Sequence, residues 1–137
     1  MLMIIKITEA TSAKELQEEF AKRFPYLKIE LYTTTHQEGE GSPVKNQLPN
    51  NLNIGEATGN AQKGIIEVNS LMKVSELEQL FQSIFGISAQ VFRKSYSVWI
   101  QTAATDSWTL GEQNSHAREN EVAANIKEEP SDYREQL

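Results

Sequence analysis

An internal repeat constrains the fold of this 137-residue chain more than any other feature. The apolar segment at residues 4–7 returns sixty-one positions later at residues 65–68. The same offset matches four further pairs, which are Glu15 with Glu76, Leu16 with Leu77, Phe20 with Phe81, and Phe24 with Phe85. After these pairs the offset shortens to sixty, because one residue, Gly86, stands where the first copy has Pro25 and Tyr26. A unit repeated in this way predicts a fold assembled from two similar pieces.

Hydrophobic periodicity predicts that each copy is a strand, a helix and a second strand. Ser12 and Glu15 have the spacing of a capping box at the start of the first helix, and Gly86 suits the left-handed position that ends the second helix. The predicted strands cover residues 2–8, 26–33, 64–69, 87–93 and 97–105, and the predicted helices cover residues 13–24 and 74–85. The last two strands form a β-hairpin.

This order of elements predicts an α+β fold of the ferredoxin-like sandwich type, with a duplicated β-α-β unit and an extra C-terminal strand. In such a sandwich two helices cover one face of an antiparallel sheet. The architecture carries no particular chemistry, because the same fold hosts many unrelated functions.

Length and composition predict one domain at residues 1–110, followed by an acidic tail at residues 111–137 that is partly disordered or weakly helical. The tail has seven acidic and three basic residues, so it carries −4 of the formal net charge of −6. A helix is expected to start at Leu110 and run towards Glu128. The domain contains an unusually long connection at residues 34–63, in which we expect a short strand at residues 52–57.

Several classes of function are disfavoured by composition. The chain has no cysteine, which excludes disulfides, thiolate nucleophiles and cysteine metal sites. Its two histidines, His36 and His116, lack the spacing of metal ligands, so we expect no metal and no cofactor. Basic residues do not cluster, which argues against nucleic-acid binding. No window is apolar enough for a membrane span, and we expect a cytoplasmic protein with no membrane partner.

The sheet face opposite the helices is the main candidate for a binding surface. Strand alternation directs residues 5, 7, 27, 29, 31, 66, 68, 87, 89 and 91, together with Val98 and Ile100, towards the helices. The opposite face then carries Tyr32, Phe92, Trp99 and Gln101 among charged and amide side chains. Exposed aromatic residues in one patch are typical of interaction surfaces. The alternative interpretation is that the long loop or the tail covers this face.

The segment after the last strand is the second candidate. It contains Asp106 and Trp108, and Trp108 is one of only two tryptophans in the chain. One interpretation is that Trp108 and Leu110 fasten the chain's exit to the sheet. The other is that the segment forms, with the open face, a docking site for a partner.

The sequence thus favours a non-catalytic module for protein interaction or assembly, whose partner is another protein or a second copy. An alternative hypothesis is a small-molecule binder or small enzyme formed as a dimeric α+β barrel. In that case His36, Glu38 and Glu40 in the long loop supply the acid–base or ligand groups. No catalytic residues are assigned under the first hypothesis.

Overall fold

The computed structural model describes residues 4–32, 47, 49, 51–58 and 64–127 of the chain. Within them the fold is mixed α+β, with five strands and four α-helices. The strands are β1 (Ile5–Thr8), β2 (Leu27–Tyr32), β3 (Ile65–Val68), β4 (Ser88–Ser95) and β5 (Val98–Gln101), and the helices are α1 (Ala13–Arg23), α2 (Ile54–Thr58), α3 (Val74–Leu80) and α4 (Leu110–Lys127).

The strands form two antiparallel sheets. One sheet pairs β1 with β3, and the other has the order β2-β4-β5. A ferredoxin-like sandwich would place the strands of both repeats in a single sheet. The ferredoxin-like layout is therefore not confirmed, although both halves have the order strand, helix, strand.

The registers of the two sheets follow the internal repeat. Ile5 lies opposite Val68, and Ile7 lies opposite Ile66. Ile5 corresponds to Ile66 in the other repeat, and Val68 corresponds to Ile7. Exchanging the two repeats therefore converts the first of these pairs into the second. The same exchange, at the shorter offset, converts the Ile29–Val91 pair of β2 and β4 into the Leu31–Ala89 pair. Each repeat therefore donates one strand to each of these pairings, as expected for two pieces related by an approximate twofold axis.

The helices begin as the sequence predicts. The Ser12 hydroxyl accepts a hydrogen bond from the Glu15 N–H, and the Glu15 carboxylate accepts one from the Ser12 N–H, which completes a capping box for α1. In α3 the carboxylate of Glu76 accepts a hydrogen bond from the Lys73 N–H. After α3 a turn of π-helix at Phe81–Phe85 ends at Gly86, whose φ of +70° confirms the predicted left-handed position.

The apolar faces of the two repeats meet in one core. Leu16, Phe20, Leu77 and Phe81 are each almost fully buried, and burying one such side chain stabilises the fold by about 1.5–3 kcal/mol. Aromatic pairs recur at equivalent places, with ring centroids 5.2 Å apart for Phe20 and Phe24 and 5.9 Å apart for Phe81 and Phe85.

Two predicted strands have to be corrected. Residues 54–58 form α2 instead of a strand, because the Asn53 side chain accepts a hydrogen bond from the Glu56 N–H and so starts a helical turn. The last strand ends at Gln101 instead of residue 105. There Thr102 bonds to Val91, and Ala103–Thr105 forms a 3₁₀ turn.

α2 and α4 occupy equivalent places, which extends the repeat beyond its predicted end. Before α2, the Ala13 N–H donates to the Leu52 carbonyl and the Ile54 N–H donates to the Thr11 carbonyl. Before α4, the equivalent bonds join Val74 to Trp108 and Leu110 to Met72. Each repeat therefore contains the order strand–helix–strand–helix, and the second repeat has β5 in addition before its final helix. The final helix enters the core through Ile54 in one copy and through Leu110 in the other, both of which are buried.

Candidate interaction surface

Part of the predicted open face, on the three-stranded sheet, carries aromatic side chains that are at least partly exposed. The register places Phe92 opposite both Lys28 and Gln101, and Lys94 opposite Trp99, so these residues share one side of β2, β4 and β5. The Lys28 ammonium lies 5.0 Å from the centroid of the Phe92 ring and 5.5 Å from that of the Trp99 ring. A cation over an aromatic ring is attracted by the electron-rich face of that ring.

The other end of the same face is buried. Tyr32 was predicted on the open surface, but it is fully buried, as are Ser88 and Gln90 beside it. Among the described residues, the Tyr32 hydroxyl has no hydrogen-bond partner, and neither has the Ser88 hydroxyl or the Gln90 side-chain carbonyl. Burial raises the pKa of Tyr32 to about 12, and the negative charge of Glu30 adds to the effect. Tyr32 is therefore removed from the candidate surface.

β5 is more exposed than the sequence predicts. Val98 and Ile100 were expected to face the helices, but Val98 is 56% exposed and Ile100 is 36% exposed. β5 lies at the outer side of its sheet and is paired with β4 alone among the described strands, and side chains on both of its faces are exposed to solvent. Val98 and Ile100 lie on one side of β5 and Trp99 lies on the other, with Tyr96 in the turn beside them, and we call these four exposed apolar residues the β5 patch.

The turn within the β5 patch has an unfavourable backbone conformation. Tyr96 has a φ of +57°, the left-handed region that costs most L-residues about 1–2 kcal/mol. Its side chain is 62% exposed, so burial recovers little of that cost. Folding stability therefore does not account for a tyrosine at this position.

The main chain of the exit segment is hydrogen-bonded to the start of α3. The carbonyl of Asp106 accepts a hydrogen bond from the Ser75 N–H at 2.7 Å, and the carbonyl of Trp108 accepts one from the Val74 N–H at 3.0 Å. Asp106 is buried and Trp108 is partly buried. The predicted docking role for these two residues has no support in this placement.

A polar network on the opposite side of β4 strengthens the attachment of α4. The Arg93 guanidinium donates to the hydroxyl of Thr105 and to the side-chain carbonyl of Gln113. It also lies 5.7 Å from the centroid of the Trp108 ring, whose other neighbour is the edge-on ring of His116. These side chains hold the start of α4 against the sheet, and His116 is part of this packing.

The residues of the alternative ligand site, His36, Glu38 and Glu40, lie outside the described residues. Within the described ranges, no three acidic or histidine side chains are grouped as metal ligands would be. A shallow depression of about 360 Å³ lies on α4 beside Arg118, Glu119, Val122 and Ala123. None of the helices in the described part of the chain is long and apolar enough to cross a bilayer.

Comparison with known proteins assigns neither a family nor a function to the chain. No protein-family model matches the chain, and neither a curated protein nor a solved structure matches it. The candidate surface therefore rests on the geometry of the β2-β4-β5 sheet.

Proposed function

We propose that this protein is a non-catalytic interaction module of the cytoplasm that binds another protein chain through the β5 patch and the adjoining Lys28–Phe92 pair. The observation that carries the proposal is the exposure of four large apolar side chains in one stretch of six residues, from the turn at Tyr96 to Gln101. Large apolar side chains exposed this close together are uncommon on proteins without a partner.

Two further features support an interaction surface here. Trp99 is 39% exposed, and tryptophan and tyrosine are the residues that most often dominate binding energy at protein interfaces. Lys28 holds its charge over Phe92 and Trp99, which makes the rim of the surface polar while its centre stays aromatic.

The strained Tyr96 supports the same location. Unfavourable backbone conformations are retained where a side chain serves a purpose other than folding. A tyrosine at the tip of the β4–β5 hairpin projects into solvent beside the apolar strand, where it can contact a partner.

Site-specific photo-crosslinking tests the proposal. A benzophenone side chain replaces Tyr96 in one protein and Glu18, on the exposed side of α1, in a control protein. We expect the Tyr96 position to crosslink one defined protein chain in extracts of the source cells, and the Glu18 position to give no such product. Phe92→Ala, introduced with the Tyr96 probe, should reduce the yield severalfold because it removes one ring of the surface.

Equal crosslinking from both positions would contradict the proposal, as would a Tyr96 product that Phe92→Ala leaves unchanged. Circular dichroism of each variant checks that the fold is intact, since Phe92 is itself partly buried.

A further inference from the structure

Cationic and aromatic side chains alternate on the side of the β2-β4-β5 sheet that carries Trp99. The register places Lys28 opposite Phe92, and Lys94 opposite Trp99. Phe92 and Lys94 are two positions apart on β4, so their side chains point to the same side of the sheet. These four residues therefore share one small area, which we call the Trp99 face.

The Trp99 face is accessible to a partner. Trp99 is 39% exposed and the Lys28 side chain is 36% exposed. Phe92 and Lys94 are partly exposed as well. The Lys28 Nζ lies 3.8 Å from Oε2 of Glu30, which is longer than a hydrogen bond. Because an ammonium group has three N–H donors, Lys28 can bind a further carboxylate directly.

The charge around the Trp99 face differs from that of the chain as a whole. The chain has 19 acidic residues and a net charge of −6. Residues 79–105, which include both β4 and β5, contain neither aspartate nor glutamate but do contain Arg93 and Lys94. A negatively charged partner is therefore attracted to this part of the surface and repelled by most of the rest.

The spacing of the two lysines fits an extended peptide. Lys94 is two positions beyond the residue opposite Lys28, so the two are diagonal neighbours, which lie about 7–8 Å apart in antiparallel sheets. Alternate side chains of an extended segment point the same way and are about 7 Å apart. Two carboxylates separated by one residue can therefore face both ammonium groups, and the next side chain on that side falls over β5 beside Trp99.

The small number of cations favours a peptide over a nucleic acid. Aromatic rings beside lysines can also stack the bases of a single strand, but such sites need a cationic groove that follows successive phosphates. The Trp99 face offers two lysines in a chain of net charge −6. A peptide with two carboxylates needs no more than this.

We propose that the Trp99 face binds an extended acidic segment of a partner protein, in which two carboxylates at alternate positions meet Lys28 and Lys94 and the following apolar side chain packs on Trp99. The inference rests on the proposed function, for which it names the chemistry of the partner. Both ion pairs are exposed to solvent, so we expect a short peptide to bind weakly and binding to weaken further as salt is raised.

Nuclear magnetic resonance of the isotope-labelled full chain tests the proposal. The glutamate peptide is a blocked hexapeptide, Glu-Ser-Glu-Ser-Tyr-Ser, which places two carboxylates and one ring on the same side when extended. Trp99 and Trp108 are the only tryptophans, so each gives one indole N–H signal. We expect the glutamate peptide to shift the Trp99 signal until it saturates. The Trp108 signal should not move, because Trp108 packs beside Arg93 on the opposite side of β4.

Two control peptides separate charge from spacing. Gln-Ser-Gln-Ser-Tyr-Ser keeps the shape and the ring but has no carboxylates, and we expect it to bind about tenfold more weakly than the glutamate peptide. Glu-Glu-Ser-Ser-Tyr-Ser keeps both carboxylates but places them on opposite sides of an extended segment. We expect it to bind severalfold more weakly than the glutamate peptide.

Substitutions in the protein locate the site. Lys28→Gln and Lys94→Gln should each weaken binding of the glutamate peptide severalfold. Lys14→Gln, on the exposed side of α1, is the matched control and should leave it unchanged. Lys94→Glu should abolish the preference for the glutamate peptide over one with lysine in place of glutamate. Circular dichroism checks that each variant is folded.

Equal binding of the glutamate and glutamine peptides would overturn the inference, as would a Trp99 signal that the glutamate peptide leaves unmoved at millimolar concentration. Tighter binding of oligouridylate would also overturn it and would indicate a nucleic-acid surface. If the inference fails in one of these ways while the benzophenone at Tyr96 still crosslinks a defined protein, the proposed function stands with a partner of different chemistry. If that crosslink is absent and no peptide moves the Trp99 signal, both fail.

Discussion

At the scale of single residues, the placement of Tyr32 separates what alternation predicts from what packing decides. Alternation correctly assigns Tyr32 to the same side of the sheet as Phe92. It does not show that this side is covered at one end and exposed at the other. The consequence is a buried phenol whose hydroxyl has no hydrogen-bond partner in the part of the chain that the structure describes.

Removing that hydroxyl should not weaken the fold at neutral pH. We predict that Tyr32→Phe leaves the free energy of unfolding unchanged or raises it by about 1 kcal/mol, because the described residues offer this buried hydroxyl no partner and such a group costs about 1–3 kcal/mol. Chemical denaturation at pH 7 measures the change. Leu31→Ala in the same strand serves as the control for lost packing and should cost about 2–5 kcal/mol.

The same variant should change how stability depends on alkaline pH. The pKa of Tyr32 is about 12 in the folded protein and about 10 when unfolded, so the neutral phenol favours the folded state. Its contribution is complete below pH 10 and is lost as the pH rises towards 12, with a slope of up to about 1.4 kcal/mol per pH unit. Tyr32→Phe should show a smaller loss of stability over this range, and an identical loss would contradict the assigned pKa.

At the scale of secondary-structure elements, the helix starts are the features that local sequence determines best. The capping box of α1 is confirmed, and an equivalent one begins α4, where Thr109 and Glu112 exchange hydrogen bonds. These bonds depend on residues three positions apart, so spacing alone is enough to find them. Hydrogen bonding to Thr109 also lowers the pKa of the Glu112 carboxyl.

Loss of this cap should destabilise the whole protein and not only one helical turn. We predict that Thr109→Ala lowers the free energy of unfolding by about 1 kcal/mol, because the Glu112 N–H loses its acceptor at the start of α4. Ser115→Ala, on the exposed side of the same helix, is the matched control and should change stability by less than about 0.5 kcal/mol. Thermal unfolding followed by circular dichroism compares the two, and equal effects would contradict the role of the cap.

The elements that the sequence misassigned share a physical cause. α2 was predicted as a strand because its few apolar residues fit an alternating pattern as well as a helical one. The burial of the β5 side chains was predicted from alternation alone. Alternation identifies the residues that share a side of the strand, but it does not show whether another element packs against that side. In both cases the outcome depends on contacts with distant residues, such as those of Thr11 with Ile54.

At the scale of the whole molecule, α4 is an integral part of the folded body. Leu110 and Ala117 are fully buried, the Gln113 amide donates to the carbonyl of Thr105, and Asn114 accepts a hydrogen bond from the Tyr26 N–H. The helix therefore joins β2, β4 and the exit segment. The division at residue 110 between a domain and a tail remains a prediction, and residues 128–137 lie outside the described part of the chain.

Truncating the Leu110 side chain should destabilise the protein as much as truncating a buried side chain in the middle of the chain. We predict that Leu110→Ala lowers the free energy of unfolding by about 2–5 kcal/mol, since the side chain is fully buried in the shared core. Val122→Ala, farther along α4 and largely exposed, should cost less than about 1 kcal/mol. Chemical denaturation of both variants tests the claim, which fails if Leu110→Ala costs no more than Val122→Ala.

The sequence by itself determined the repeat, the cores of the strand–helix–strand units, the helix caps and the residues that share each side of a strand. These follow from local spacing and periodicity, which are properties of the sequence and do not depend on tertiary packing. Only the tertiary structure decided that the strands divide into two sheets, that α2 and α4 complete each repeat, and that Tyr32 is buried while Val98 and Ile100 are exposed. Those outcomes depend on which elements pack together, because burial and strand pairing are set by residues far apart in the chain.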